Sequence, residues 1–208
     1  MKTAAVRLGG SSPSFSAKMR IIAGDLRGRA LLPLKDKGVR PTSSKTREAL
    51  FNILGGVEGF KVLDLYAGTG AVGFEAISRG ASSATMVDIS SNLLQVIKET
   101  AEKWKIAEKI ICQRNDVLRF AAQRLQSLER YDLIFADPPF GKEYPDLRIF
   151  LPRLNEGGFA VFEMPSKDMP KWADEAVKVR NYGESSLAVF QSSLCSHLSP
   201  SLSVSSVQ

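Results

Sequence analysis

A chain of 208 residues, 44% hydrophobic and 24% charged, can bury one core of ordinary size and leaves room for one domain with a small appendage. Its formal net charge of +6 favours an anionic partner, nucleic acid first, and says nothing about fold. No apolar run reaches the ~18 residues of a membrane-spanning helix, so a transmembrane segment is excluded.

Residues 1–18 are small, Ser- and Gly-containing and free of acids; they read as a disordered basic arm, with an organelle-targeting peptide as the rival. Within residues 19–56, MRIIAG and GRALLPL read as two short strands joined by a turn at Gly24 and Asp25. RPTSSKTREALFNILGG reads as a helix capped by Thr42 or Ser43, striped by Ala49, Leu50, Ile53 and Leu54, and stopped at Gly55-Gly56. From residue 57 to 191 strand and helix alternate. KVLDLYAG is a strand turning sharply into the helix TGAVGFEAISRG; SATMVDIS is a strand, and SNLLQVIKETAEKW a helix with Leu94, Ile97, Ala101 and Trp104 near helical spacing. The strand KIICQR, the helix DVLRFAAQRLQSL and the apolar strand YDLIFADPPF follow. PDLRIFLPRL is a helix weakened by Pro152, GGFAVFEM a fifth strand, and EAVKVRNYG with SSLAVFQS a closing hairpin. Residues 192–208, roughly half serine, read as a disordered tail.

That tail holds the one histidine, His197, and Cys195, far from the other cysteine, Cys112. Such usage fits a reducing, cytoplasmic setting and leaves no disulfide framework, Ser-His or Cys-His pair, or His-ligated metal. Strands separated by single helices require right-handed crossovers, so the fold class is α/β: a doubly wound, mostly parallel, seven-stranded sheet with a C-terminal antiparallel hairpin. A small N-terminal β-hairpin and helix precede it. Ligands of such sheets sit beyond the carboxyl ends of the strands, near the topological switch point.

The segment VLDLYAGTGAVG follows a strand and opens a helix, the place for a nucleotide-binding glycine loop. Gly68, Gly70 and Gly73 allow a ligand to approach closely. A dehydrogenase loop is the rival reading, but Asp64 would repel a pyrophosphate and can accept a hydrogen bond from an α-ammonium group. S-adenosylmethionine carries an ammonium and no phosphate. Asp88, at the end of the next strand, suits ribose hydroxyls, with Ile89 beside it. Asp116 can accept from an adenine amino group, with Val117 against the ring, or can simply cap a helix. The loop residues Tyr66, Ala67, Gly68, Thr69 and Gly70 complete the cofactor set, and Asp137 closes it.

Asp137-Pro138-Pro139-Phe140 directly follows the strand YDLIFA. An exocyclic amine on a base is a poor nucleophile, because its lone pair is delocalised into the ring. The Asp137 carboxylate and the Pro138 carbonyl can each accept one N–H bond, drawing the nitrogen towards sp³ character and aiming its lone pair. The paired prolines stiffen the loop, and Phe140 offers a face for a flipped base, worth about 1–3 kcal/mol.

RIIAGDLRGRAL, VRPTSSKTREALFNIL, DLYAGTGAVGFEAISRGA and DPPF together resemble the RsmD-type bacterial family that methylates N2 of a guanine in small-subunit (16S) ribosomal RNA, over about Met19 to Gln191. The resemblance implies a Rossmann-like class I methyltransferase fold, S-adenosylmethionine as cofactor, and ribosomal RNA within the small subunit as partner. It implies that Thr42 and Arg47 line the pocket with Phe51 packing behind. Asp88 stands where a glutamate is common, Tyr66 replaces a phenylalanine and Thr69 a serine. Arg20, Arg27, Arg29 and Arg40, with Lys18, Lys35 and Lys37 nearby, read as a surface contacting phosphates beside the target, or as a solvated basic face. Adenine N6 in RNA or DNA, a glutamine side chain, and a non-catalytic RNA-binding role are the competing functions. The chain is expected to work as a monomer, away from membranes.

Overall fold

The computed structural model describes residues 19–33, 42–123, 129–139 and 144–192. The expected arm (1–18), the tail from 193 on, and Lys18, Lys35, Lys37, Arg40, Phe140, Cys195 and His197 lie outside them. Strands β1 (Lys61–Leu65), β2 (Ser83–Asp88), β3 (Ile110–Arg114), β4 (Tyr131–Ala136), β5 (Leu154–Pro165), β6 (Lys178–Tyr182) and β7 (Ser185–Gln191) form one sheet, ordered β3-β2-β1-β4-β5-β7-β6. Neighbours from β3 through to β5 run parallel, whereas β7 is antiparallel to both β5 and β6. The closing hairpin is thus appended at one edge of the sheet, its second strand beside β5 and its first outermost.

The period of two along each strand divides the core. Val62, Leu133 and Phe135 face one apolar cluster, while Leu63, Leu65, Ile134 and Ala136 face the other. On the first side lie helices α1 (Ser44–Leu54), α2 (Ala71–Ser78) and α3 (Ser91–Trp104), through Leu50, Phe74 and Ile97. On the second lie α4 (Val117–Gln123) and a 3-10 helix over Leu147–Arg153, through Phe120 and Phe150. Helix α3 is amphipathic: Leu93, Leu94, Ile97, Thr100, Ala101 and Trp104 are buried, and the Ser90 side chain caps its first turn by accepting from the Leu93 N–H.

Helix α2 is different, because every one of its residues is buried. One side meets the sheet and the other is covered by the chain's own N-terminal segment. The Glu75 carboxylate accepts the backbone N–H groups of Ile22 (2.8 Å) and Ala23 (3.0 Å) and also pairs with Arg79. Ser78 accepts from the Leu26 N–H and donates to the Ala23 carbonyl. Gly24 has φ +81°, and a Cβ there would stand 1.7 Å from the Ser78 carbonyl oxygen.

Those contacts explain one departure from expectation. MRIIAG and GRALLPL do not form two strands; they share a single antiparallel bridge, Arg20 with Ala30. Around that bridge Ile21 donates to the Arg29 carbonyl and Leu31 to the Met19 carbonyl, but the ladder stops there: the Arg29 N–H turns to Leu26, and Ile22, Ala23 and Leu26 donate to Glu75 and Ser78 on α2. In α1 the cap is Ser43, whose side chain accepts from the Thr46 N–H, and Gly55 in a left-handed conformation ends the helix. Its buried stripe is Thr46, Arg47, Ala49, Leu50 and Phe51, with Ile53 and Leu54 half-buried. The segment around Pro152 winds as a 3-10 helix rather than an α-helix, begun by the Asp146 side chain accepting from the Arg148 N–H.

Candidate active site

The strand order reverses between β1 and β4, which opens a crevice at the carboxyl ends of those strands. Three carboxylates gather there from neighbouring strands: Asp88 ends β2, Asp64 is the penultimate residue of β1, and Asp137 follows β4. In register, Leu65 stands between Val87 and Ala136, so the residues just beyond them share one rim.

Asp64 is buried, and its Oδ2 accepts the Gly73 N–H of α2 at 3.0 Å. Burial pushes its carboxyl up to about 8; the Gly73 bond opposes this, and the nearby charges of Asp137 and Asp88 add to it. Gly70 begins α2 at φ +72°, where an L side chain would be strained, and a Cβ there would press on the Ile97, Met86 and Phe74 side chains at 3.0–3.1 Å. Gly73 departs from its expected role. A Cβ there would meet the Met86 side chain at 2.3 Å, so this glycine serves helix–sheet packing rather than ligand approach.

Asp88 ties the glycine loop to α3. Its Oδ2 accepts the Gly68 N–H (2.9 Å) and its Oδ1 the Ser90 N–H (2.8 Å). Beside it Ile89 is 68% exposed, a large apolar side chain held open at the crevice. Asp116 caps α4 by accepting from the Arg119 N–H at 3.0 Å, and Val117 is buried beside it. Tyr66 takes a positive φ of 57°, and its hydroxyl is pushed up to about 12 by burial and then by the neighbouring Asp116 charge. Ala67 is buried, and the Thr69 hydroxyl donates to the Met19 sulfur at 3.6 Å. These groups suit S-adenosylmethionine: Asp64 for its ammonium, Asp88 for its ribose, Ile89 and Val117 for the faces of its adenine.

In the Asp-Pro-Pro turn Pro138 is buried and Pro139 exposed. The Thr42 hydroxyl, just ahead of α1, donates to Asp137 Oδ2 at 2.9 Å. One residue was not expected from the sequence. Tyr144 donates its hydroxyl to the Glu163 carbonyl at 2.6 Å and packs against Trp172. Burial raises its hydroxyl, and the charge of Asp137 does so next, which sets Tyr144 beside the turn. An aromatic residue shortly after DPPF was the available signal, but nothing local says that it folds back.

The basic residues divide. Arg47 is fully buried: its Nη2 donates to the Arg20 carbonyl at 3.0 Å and to Ser44 Oγ at 3.3 Å. Burial holds its guanidinium below its ordinary value, against the pull of Glu75. Helix α1 thus turns this side of Arg47 onto the N-terminal segment. Arg20 itself donates to the Gly28 carbonyl. Arg27 and Arg29 are exposed, but Arg29 reaches the Trp104 carbonyl at the C-terminal end of α3, and Gly24 and Leu26 lie against the last residue of α2. Helix α3 starts at the carboxylates and runs away from them for 14 residues, about 20 Å at 1.5 Å per residue. Arg27 and Arg29 therefore lie at the far end of the domain, not beside Asp137.

The sheet order with one antiparallel strand, the glycine loop between two strand-end aspartates and the Asp-Pro-Pro turn define an S-adenosylmethionine-dependent methyltransferase of class I. The family model described as "Conserved hypothetical protein 95" matches residues 19–191, and the chain belongs to that family. Among relatives, "Putative rRNA methyltransferase YlbH" of Bacillus subtilis is 30% identical over 181 residues, spanning 83% of this chain and 98% of that protein. "Ribosomal RNA small subunit methyltransferase D" of Haemophilus influenzae is 34% identical over 131 residues, 62% of this chain and 67% of that one. The solved structure "Putative methyltransferase yhhF from Escherichia coli" matches with a TM-score of 0.72 at 27% identity, covering 84% of this chain and 97% of that one. Among the described residues, no helix is long and apolar enough to cross a membrane.

Proposed function

We propose that the chain transfers a methyl group from S-adenosylmethionine to the exocyclic N2 of a guanine in small-subunit (16S) ribosomal RNA. The observation that supports this most directly is Asp137, held in a rigid turn at the switch-point crevice beside two other strand-end carboxylates. The cofactor, when bound, supplies an electrophilic methyl group. Asp88 and Ile89 hold its nucleoside end, Asp116 and Val117 its adenine, and Asp64 its ammonium. Asp137 and the Pro138 carbonyl accept the two N–H bonds of the target amine, and Asp137 is the nearest acceptor for the proton the nitrogen sheds on alkylation. Tyr144, beside the turn, and Phe140 after it offer aromatic surface to a base.

The relatives' names favour ribosomal RNA over DNA or protein among the substrates that present a planar NH₂. We read the working form as a cytoplasmic monomer acting on the small subunit or an assembly intermediate of it. Transfer of labelled methyl to small subunits lacking the modification, followed by nucleoside analysis, tests the reading. The expected product is N2-methylguanosine; N6-methyladenosine would keep the mechanism and reassign the target. Absence of transfer to subunits, naked ribosomal RNA or DNA would overturn it.

A further inference from the structure

Thr42 and Asp137 lie 95 positions apart in the chain, yet their side chains meet at 2.9 Å. Thr42 belongs to no strand or helix; it stands immediately before Ser43, the N-cap of α1. Because Ser43 Oγ is engaged by the Thr46 N–H and hydroxyl, the capping task falls to Ser43, and the Thr42 hydroxyl is turned to the Asp-Pro-Pro turn instead. The position of α1 is itself secured. Arg47 grips the Arg20 carbonyl from inside the fold, and Glu75 on α2 grips Ile22 and Ala23 on the same segment. Thr42 is thus fixed from behind while its hydroxyl reaches forward.

We infer that Thr42 is a positioning residue for Asp137, and that through it the N-terminal unit helps to build the catalytic geometry instead of only covering α2. The inference rests on the function proposed above. A carboxylate can accept about four hydrogen bonds, so a hydroxyl on Oδ2 leaves capacity for the target amine. What the hydroxyl supplies is orientation: the bond to Oδ2 helps to set the rotation of the carboxylate about its terminal torsion, a torsion that is broad for aspartate in general. Transfer to a weakly nucleophilic amine depends on that rotation, because the accepted N–H bond decides where the nitrogen lone pair points.

The expectations follow from separating the hydroxyl from the side chain's bulk. Thr42→Val keeps the shape and removes the donor; Thr42→Ser keeps the donor and removes a methyl. With unmodified small subunits and S-adenosylmethionine, Thr42→Val should lower kcat roughly tenfold to a hundredfold. Its KM for subunits, its cofactor affinity by calorimetry and its melting temperature should stay close to those of the unaltered protein. Thr42→Ser should recover kcat to within about threefold. Unchanged kcat in Thr42→Val would overturn the inference, and so would a Thr42→Ser variant as slow as Thr42→Val, which would mark the methyl's packing as the cause. The unaltered protein serves as the control: if it transfers nothing, the proposed function fails and this inference with it, whereas normal turnover with a silent Thr42→Val defeats the inference alone.

Discussion

The guanidinium of Arg47 and the backbone carbonyl of Arg20 meet at 3.0 Å inside the protein, joining α1 to a segment 27 positions earlier. A buried guanidinium is costly unless it is satisfied, and Arg47 Nε and Nη1 have no hydrogen-bond partner among the described residues. Arg47→Ala, which leaves both a cavity and an unpaired Arg20 carbonyl, should destabilise the fold by about 2–4 kcal/mol. Arg47→Met, which fills the volume without a buried charge, should cost distinctly less. Urea unfolding of the two variants checks the order. If both lose equally, the hydrogen bond outweighs desolvation.

Gly24 and Gly28 form a matched pair. Both adopt φ +81°, but a Cβ at Gly24 would collide with the Ser78 carbonyl, whereas Gly28 faces open space. Gly28→Ala should cost only the backbone strain, about 1 kcal/mol. Gly24→Ala should cost at least about 2 kcal/mol more and undock the segment from α2. Thermal unfolding measures the difference, and protease cleavage near residue 24 reports the undocking.

With Asp64 as the proposed acceptor for the cofactor's ammonium, its burial should make cofactor binding pH-dependent. With its carboxyl pushed up to about 8, Asp64 is mostly protonated at neutral pH before cofactor binds. Pairing with an ammonium needs the carboxylate, so binding should release a proton, and affinity should climb as pH rises from about 6 to 7.5; beyond that the α-ammonium begins to lose its own proton near ~8. Calorimetry in two buffers of different ionisation enthalpy should show the release, and Asp64→Asn should abolish it. The sign for stability is opposite. The folded value lies above the ordinary 3.8, so the folded state binds the extra proton, and stability present at low pH is lost as pH rises towards about 8. Asp64→Asn should flatten that loss in denaturant titrations.

Asp88 and Asp137 should come apart when tested. Asp88→Ala removes the acceptor of the Gly68 and Ser90 N–H groups and the proposed ribose acceptor, so cofactor affinity should fall roughly tenfold to a hundredfold. Asp137→Ala should leave cofactor affinity within about threefold and abolish transfer. Dissociation constants and single-turnover rates separate the two. A large loss of cofactor affinity in Asp137→Ala would give that carboxylate a different role.

Much of the core was legible locally. Alternating apolar strands and helices led to the parallel sheet, because the period of two along a strand and the stripe on α3 are properties of neighbouring residues. The glycine loop and the Asp-Pro-Pro turn were readable for a similar reason: positive φ and ring rigidity belong to single residue types. The bond from Arg47 to the Arg20 carbonyl was not legible, because a helix sequence does not say which neighbour its polar face will meet. Tyr144 was missed because its contacts, with Glu163 and Trp172, lie across a fold-back.

The sequence by itself determined the elements, the end of the sheet at which ligands gather, and the residue types able to hold a cofactor and an amine. Tertiary structure decided which of them meet. It turned Glu75 and Arg47 inward to bind the N-terminal segment, carried Arg27 and Arg29 to the far end of α3, and brought Thr42 onto Asp137. Each of these depends on chain closure over tens of residues, where local propensity carries no information and only the packing of whole elements selects the partner.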